Sequence, residues 1–458
     1  MKKRILGVGV ILLIALIFFD ACIPRIGETP PEGSGKVPVE DRDIEQLSQA
    51  VDVILEDATS DFIGKFPVTD GFFYWVAKEY GDDCIFEIVK NGDVSNKEIW
   101  YELTGNSIYV LWQKYCESTG LGAYEYSHTH EVSCENEEVF SIDFCGDINM
   151  CEEAATTIYM DQQPNGILNC FSKNLLEEMQ GVDLFVANNE FSYTTRGEAL
   201  EGKAYTFRAN PDRVQSMIDI GTDLVTLANN HVWDYGLIGL TDTLETVQNS
   251  SLEYVGAGYN LNEAKRAQYY IANGRKIAVV NATQIERSYG YTKQATDDTP
   301  GVLKTLDPTL FCEAIATAKK QSDLVIVCVH WGTEGNKSYA WDQVKLADAF
   351  IAAGADAIIG GHTHCLQGIE YMEDVPVYYS LGNYWFATTA NMPADYDTAL
   401  ARLEISNDLS ITAKVIPCKF SKGVTSMLEG DEAKFAFAQL DELSKTVTIS
   451  NDGVVNKE

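Results

Sequence analysis

From Val139 onward, short apolar runs rich in β-branched residues alternate with stretches of helical periodicity, and that alternation restricts the chain to a narrow set of folds. The runs are "VFSIDFCGD", "VDLFVANNE", "TDLVTLANNH", "RKIAVVNAT", "SDLVIVCVHWG", "DAIIGGHTH", "VPVYYSLGN" and "TALARLEIS". Between several of them lie amphipathic segments such as "GLIGLTDTLETVQ", "LFCEAIATAKK" and "WDQVKLADAFIAAG". Strand–helix alternation of this kind predicts an α/β domain with a largely parallel sheet. No internal repeat is visible. A chain of 458 residues also has room for more than one structural unit.

The runs end in a distinctive way. Asp147 follows "FSIDFCG", Glu190 follows "LFVANN", Asn230 and His231 follow "LVTLAN", His330 follows "LVIVCV", and His362 with His364 follow "AIIGG". In α/β sheets the ligand crevice lies outside the carboxyl ends of the strands. One strand-end Asp is commonly a turn or helix cap, and one strand-end His is commonly a packing residue. Five such ends, using four of the six histidines, point instead to a shared site. Imidazole, carboxylate and amide oxygen without thiolate suit Mn, Fe, Zn or a related divalent ion. His362 and His364 are two residues apart, so in an extended segment both rings face one crevice. If the backbone turns there, the rings can serve two adjacent metals. Gly360 and Gly361 allow the chain to approach closely. The other His-x-His, His128 and His130, sits in a polar segment and reads as a solvated linker.

Charge excludes some functions. With 34 Lys+Arg against 68 Asp+Glu, the net charge of −34 repels nucleic acid and any polyanion not met by a local cation. The start, "MKKRILGVGVILLIALIFFDACIP", joins a basic tip to an apolar run of signal-peptide length. Residues 1–22 thus read as a signal or lipoprotein anchor segment. Lipidation at Cys22, an uncleaved anchor and a soluble secreted form all put the body outside the cytoplasm. Residues 23–40, rich in Pro, Gly and Glu, read as a tether. Residues 41–136 carry aromatics at helical spacings and read as a small helical accessory region whose aromatics form its core. Residues 422–458 read as a terminal helix with a frayed tail. The eleven cysteines include no Cys-x-x-Cys pair; Cys328, in an apolar run, reads as a buried thiol.

Taken in order, "CGDINM", "ANNEFSY", "LANNHVWDYG", "VHWGTEG", "GGHTHCLQG" and "YYSLGNYWF" resemble the motifs of the CapA family of bacterial capsule-synthesis proteins. That family is similar to the calcineurin-like metallophosphatases. The resemblance implies a four-layer α/β/β/α sandwich over residues 137–421. It implies Glu190 as a bridging carboxylate, Asp147 and His364 as ligands of a first metal, and Asn230, His330 and His362 as ligands of a second. His231 matches the histidine that faces the substrate, and Asp234, three residues on, is placed to orient its ring. Two positions depart from the phosphatase pattern: Asn149 stands where a histidine is usual, and Glu190 where aspartate is. Both affect the first metal, so one ion or two is the expectation.

The resemblance also implies work in making or anchoring poly-γ-glutamate capsules, beside a membrane capsule synthase. Metal-dependent hydrolysis of a phosphoester or γ-glutamyl amide is one form of that work, with His231 as proton donor. The alternative is a non-catalytic component that holds an anionic polymer through the metal. A third is a scaffold whose accessory helices bind a partner.

Overall fold

The computed structural model describes residues 44–57, 70–91, 94, 96–120, 128–287 and 290–458. The expected signal segment and tether lie outside these residues. Among the described residues, no helix is long and apolar enough to cross a membrane. The described residues form two compact units, one drawn from those up to residue 104 and from 111–120, the other from residues 105–110 and those after 127.

The first unit is helical. Its helices Ile44–Asp57, Asp70–Tyr80, Asp82–Asn91 and Lys97–Thr104 are amphipathic, and they bury Val51, Ile54, Phe73, Val76, Ile85 and Ile88. Phe72 sits at the centre, its ring 5.4 Å from Trp112, 5.6 Å from Tyr115 and 6.0 Å from Trp100. The aromatic periodicity of the sequence is therefore core, as expected.

The second unit is built on two large sheets. One runs in the order Val424–Met427, Ile411–Ser421, Tyr396–Ser406, Val139–Ile148, Leu184–Asn189, Leu224–Thr226, Glu253–Val255, with Asn383–Trp385 also paired to Val139–Ile148. The other runs Thr129–Val132, Gln268–Ala272, Arg275–Thr283, Leu324–His330, Ala357–Gly361, Val375–Tyr378, Ile369–Met372. Neither is wholly parallel. The strands that carry the predicted site residues are parallel to one another within each sheet, while Tyr396–Ser406 runs antiparallel to both Val139–Ile148 and Ile411–Ser421.

Side-chain alternation sorts the central strands into layers. Leu324, Ile326 and Cys328 face Phe140, Ile142, Phe144 and Val186 between the sheets. Val325, Val327 and Val329 face outward onto Phe311, Ile315 and Phe350 of the helices Thr309–Lys319 and Trp341–Ala353. On the far side, Phe185 and Ala187 face Leu175, Leu240 and Leu244 of Lys173–Gly181 and Gly236–Gln248. The result is helix, sheet, sheet, helix: the four-layer sandwich expected from the motifs. Strands covered on both faces must be apolar on both, which is why they read as continuous runs.

Two readings are corrected. Residues 129–132 are not a solvated linker but an edge strand parallel to Gln268–Ala272; His130 meets Glu253 at 2.9 Å, and Arg266 donates to His128 Nε2 at 3.0 Å. The tail does not fray: after the helix Gly430–Leu443, Val447–Ile449 and Val455–Lys457 pair antiparallel, and Val447 and Val455 are buried. Among the described residues no disulfide links any two cysteines, and burial raises the Cys328 thiol to about 12.

A candidate two-cation centre

Every predicted site residue comes to one place, where the carboxyl ends of strands from both sheets meet. Asp147 is positioned by a close backbone approach: its N–H donates to Gly382 O at 2.9 Å, and a Cβ on Gly146 would lie 1.9 Å from that oxygen. Only glycine fits before Asp147. Glu190 follows directly on Leu184–Asn189, and His330 closes Leu324–His330. Beyond Ala357–Gly361, His362 and His364 take left-handed conformations, with φ of +93° and +57°. Such conformations cost a β-carbon-bearing residue on the order of 1–3 kcal/mol and cluster at functional sites. Here they turn the chain so that the two rings, 6.0 Å apart, point to different groups of donors.

Those groups are Glu190, His330 and His362, and Asp147, Glu190 and His364; within each, the donor atoms all lie within 4.8 Å of one another. Asn230 Oδ1 stands 2.8 Å from His330 Nε2, so it extends the first group. Glu190 belongs to both. Asp147 Oδ2 is 3.3 Å from His364 Nδ1, and Glu190 Oε1 is 3.5 Å from His330 Nε2. The backtracking turn thus separates the two histidines between two groups rather than pairing them in one.

The electrostatics of the cluster fit a cation. Glu190 Oε1 and His362 Nδ1 are buried with no hydrogen-bond partner among the described residues, in a fold that satisfies most of its buried polar atoms. Burial, reinforced by the Asp147 charge, pushes the Glu190 carboxyl well above its ordinary range. Burial also pushes Asp147 upward, but the His364 hydrogen bond and the His330 and His364 charges hold it below the usual value. His330 falls to about 3 through burial, and His362 falls well below the ordinary imidazole range for the same reason. Burial thus favours the neutral form of both rings, the form a metal requires. Two buried carboxylates beside them need positive charge, which a divalent ion supplies.

His231 flanks the cluster. Its Nδ1 is 2.7 Å from Asp234 Oδ2, and its Nε2 is 3.9 Å from Glu190 Oε1. Phe207 packs on the ring, with centroids 4.3 Å apart. Burial lowers the His231 pKa, against the raising charge of Asp234.

Asn149 lies outside both donor groups. Its amide donates to Ala387 O at 2.9 Å and its oxygen accepts from Cys151 N–H at 2.9 Å, so it braces the loop after Asp147.

Three polar residues at the site escaped the motif analysis. Asn188 Nδ2 reaches Asp147 Oδ1 at 2.8 Å and Glu190 Oε2 at 3.3 Å, orienting both carboxylates. Asn383 Oδ1 meets His364 Nδ1 at 2.8 Å. The ammonium of Lys203 bonds Asn230 O and reaches Asp234 Oδ1 at 2.6 Å. Asn188 was legible, since alternation puts it on the same side of its strand as Glu190. Lys203 comes from a loop with no periodic signal.

A four-layer α/β/β/α sandwich with histidines and carboxylates, Glu190 common to two donor groups, at its strand ends defines a metallophosphatase-like fold with a candidate divalent-cation centre. Residues 141–388 match the family described as bacterial capsule synthesis protein PGA_cap, and the chain belongs to that family. It is 31% identical to the PGA biosynthesis protein CapA of Bacillus subtilis over 67% of this chain and 79% of that one. It is 32% identical to the capsule biosynthesis protein CapA of Bacillus anthracis, over 48% of this chain and 54% of that one. A probable polyglutamine synthesis accessory protein of Mycobacterium tuberculosis is 29% identical over 45% of this chain and 56% of its own length. Among solved structures, a hypothetical protein of Thermus thermophilus aligns with TM-score 0.37 at 15% identity, covering 61% of this chain and 99% of that one. The 5'-nucleotidase of Candida albicans aligns with TM-score 0.33 at 13% identity, covering 63% and 54%.

Proposed function

We propose that this protein acts in poly-γ-glutamate capsule synthesis or anchoring at the cell surface, as a divalent-metal-dependent hydrolase of an anionic substrate. The observation that carries the reading is that Glu190 belongs to two donor groups, one with His330 and His362 and one with Asp147 and His364, with the Asp234-bound His231 beside them. Asp147 and His364 on one side, and Asn230, His330 and His362 on the other, are the proposed ligands, with Glu190 common to both. A divalent ion held there would polarise the attacked centre and offset the substrate's negative charge. Offsetting is needed on a chain of net charge −34.

The chain's own residues supply the proton chemistry. A carboxylate at Nδ1 commits that nitrogen's proton, so Nε2 of His231 is the one that gives or takes a proton on the cluster side. Lys203 and the Phe207 N–H hold Asp234, and through it the ring. Phosphoester and γ-glutamyl amide bonds both suit this arrangement. The apolar start and Cys22 support an extracytoplasmic, lipid-anchored body; Cys22→Ser is expected to release the protein or leave its precursor unprocessed.

The test is His231→Ala beside His231→Gln, with metal content measured on each. Metal-replete His231→Ala is expected to lose turnover on phosphoesters or poly-γ-glutamate by about 10²-fold or more. Undiminished turnover, or undiminished capsule formation in cells, would sink the catalytic reading and favour a polymer-holding role that needs the metal but not His231.

A further inference from the structure

Six rings form a chain of contacts that begins and ends at Glu190. His330 lies 4.8 Å from His362, His362 6.0 Å from His364, and His364 4.9 Å from Phe386, centroid to centroid. Phe386 then meets Phe207 at 5.7 Å, and Phe207 meets His231 at 4.3 Å. Glu190 Oε1 closes the circle, 3.9 Å from His231 Nε2 and 3.5 Å from His330 Nε2. The four imidazoles have roles in the reading above. The two phenylalanines hold no ion and move no proton, yet they fill the arc between His231 and His364.

Each phenylalanine stands on a segment that already holds its histidine by a polar contact. Asn383 pairs with Asp147 in the sheet and its Oδ1 meets His364 Nδ1 at 2.8 Å; Phe386, on the same segment, packs on that ring at a 43° tilt. The Phe207 N–H donates to the Asp234 oxygen that holds His231 Nδ1, and the Phe207 side chain packs on the His231 ring. The two phenyl rings meet edge to face at 86°. Phe386 is itself pinned: its N–H donates to the Tyr396 hydroxyl at 2.9 Å, that hydroxyl donates to Phe386 O at 3.3 Å, and the Tyr396 ring stacks on Phe420 at 4.5 Å. Phe207 and Phe386 are each 2% exposed, so their contacts are with the protein and not with a substrate.

An imidazole held at one nitrogen can still rock about that bond, and a rigid ring packed on it removes the motion. We infer that Phe386 is a positioning residue, which with Phe207 fixes the spacing between His231 and His364 and so between the proton-transfer nitrogen and the ion of the Asp147 group. The inference rests on the reading above, its His231 half on hydrolysis and its His364 half on the metal centre alone.

The test is Phe386→Leu beside Phe386→Tyr in the full chain. Binding of Mn2+ and Zn2+ is followed by equilibrium dialysis, and turnover is compared on phenyl and p-nitrophenyl phosphoesters. Nitrophenolate leaves without needing a proton, so its release does not depend on His231. Phe386→Leu is expected to weaken the ion of the Asp147–Glu190–His364 group about tenfold and to leave the other ion unchanged. At saturating metal it is expected to lose about tenfold in kcat on the phenyl ester but less than about twofold on the nitrophenyl ester, at unchanged KM. Phe386→Tyr keeps the ring and is expected to stay near wild type on every measure. Unchanged metal binding in Phe386→Leu overturns the inference, whether or not the wild type hydrolyses either ester. A Phe386→Tyr protein as impaired as Phe386→Leu overturns it as well, because the ring is then not what matters. Equal losses on the two esters overturn the His231 half. A wild type that binds metal but turns over neither ester overturns the hydrolytic reading and the His231 half with it; a tenfold weaker ion in Phe386→Leu then still supports the hold on His364.

Discussion

Asp234 Oδ2 lies 2.7 Å from His231 Nδ1, and the same oxygen accepts the Phe207 N–H at 2.6 Å while Oδ1 holds Lys203 at 2.6 Å. One buried carboxylate thus fixes a ring, a loop and a lysine. Asp234→Ala leaves Lys203 with Glu286, at 3.2 Å, and the Asn230 carbonyl, and removes the acceptor of the Phe207 N–H. Breaking a buried pair of this kind costs about 3–5 kcal/mol. Asp234→Asn keeps the shape and is expected to lose less stability, yet about 10²-fold in turnover, because the ring is no longer held by a carboxylate. Denaturant unfolding and steady-state turnover on the two variants check this; an Asp234→Ala protein as stable as wild type contradicts it.

Glu190 is common to both donor groups, so its loss should differ from that of a residue in one. Glu190→Ala is expected to remove both ions, and His362→Ala only the ion of its own group. Glu190→Gln should have opposite effects in two conditions. With chelator it relieves a carboxyl whose ionisation burial opposes, raising stability; with metal it withdraws a ligand, lowering stability. Elemental analysis and melting temperatures with and without metal read these outcomes, and full metal retention in Glu190→Ala would falsify the shared assignment.

Restoring histidine at Asn149 has a structural cost. The Asn149 side chain is fully buried and makes two hydrogen bonds to backbone groups. Asn149→His leaves buried partners unsatisfied at about 1–3 kcal/mol each. It should therefore lower stability even if metal occupancy rises. A gain in occupancy at unchanged melting temperature is the outcome that contradicts this.

His128 gives a pH signature. Burial first, then the Arg266 charge, lowers its pKa from 6.5 to about 4. Its folded form stays neutral where the unfolded chain takes up a proton. The contribution to stability is complete above pH 6.5 and is lost as pH falls toward about 4. His128→Gln should flatten that part of the stability profile relative to wild type. Parallel slopes for the two proteins between those pH values would exclude the effect.

Much of the sandwich was readable along the chain. The helix Gly236–Gln248 coincides with its periodic segment, and the central strands read as apolar runs because both their faces are covered. The strands Thr129–Val132 and Ile411–Ser421 were not recognised. The first is polar and half-exposed, and only its pairing with Gln268–Ala272 makes it a strand. The second carries Pro417 and alternates polar with apolar residues, a weaker signal than a continuous run.

The site divides in the same way. Residue order alone determined that acid, amide and imidazole groups would stand at the carboxyl ends of strands, because apolar runs and their endings are local properties of the sequence. Tertiary structure decided the rest. It set the left-handed turns that separate His362 from His364, the Asn188 bridge between Asp147 and Glu190, and the Lys203 contact that braces Asp234. These depend on contacts between segments tens to hundreds of residues apart, which only the packing of two sheets against each other brings within hydrogen-bond range.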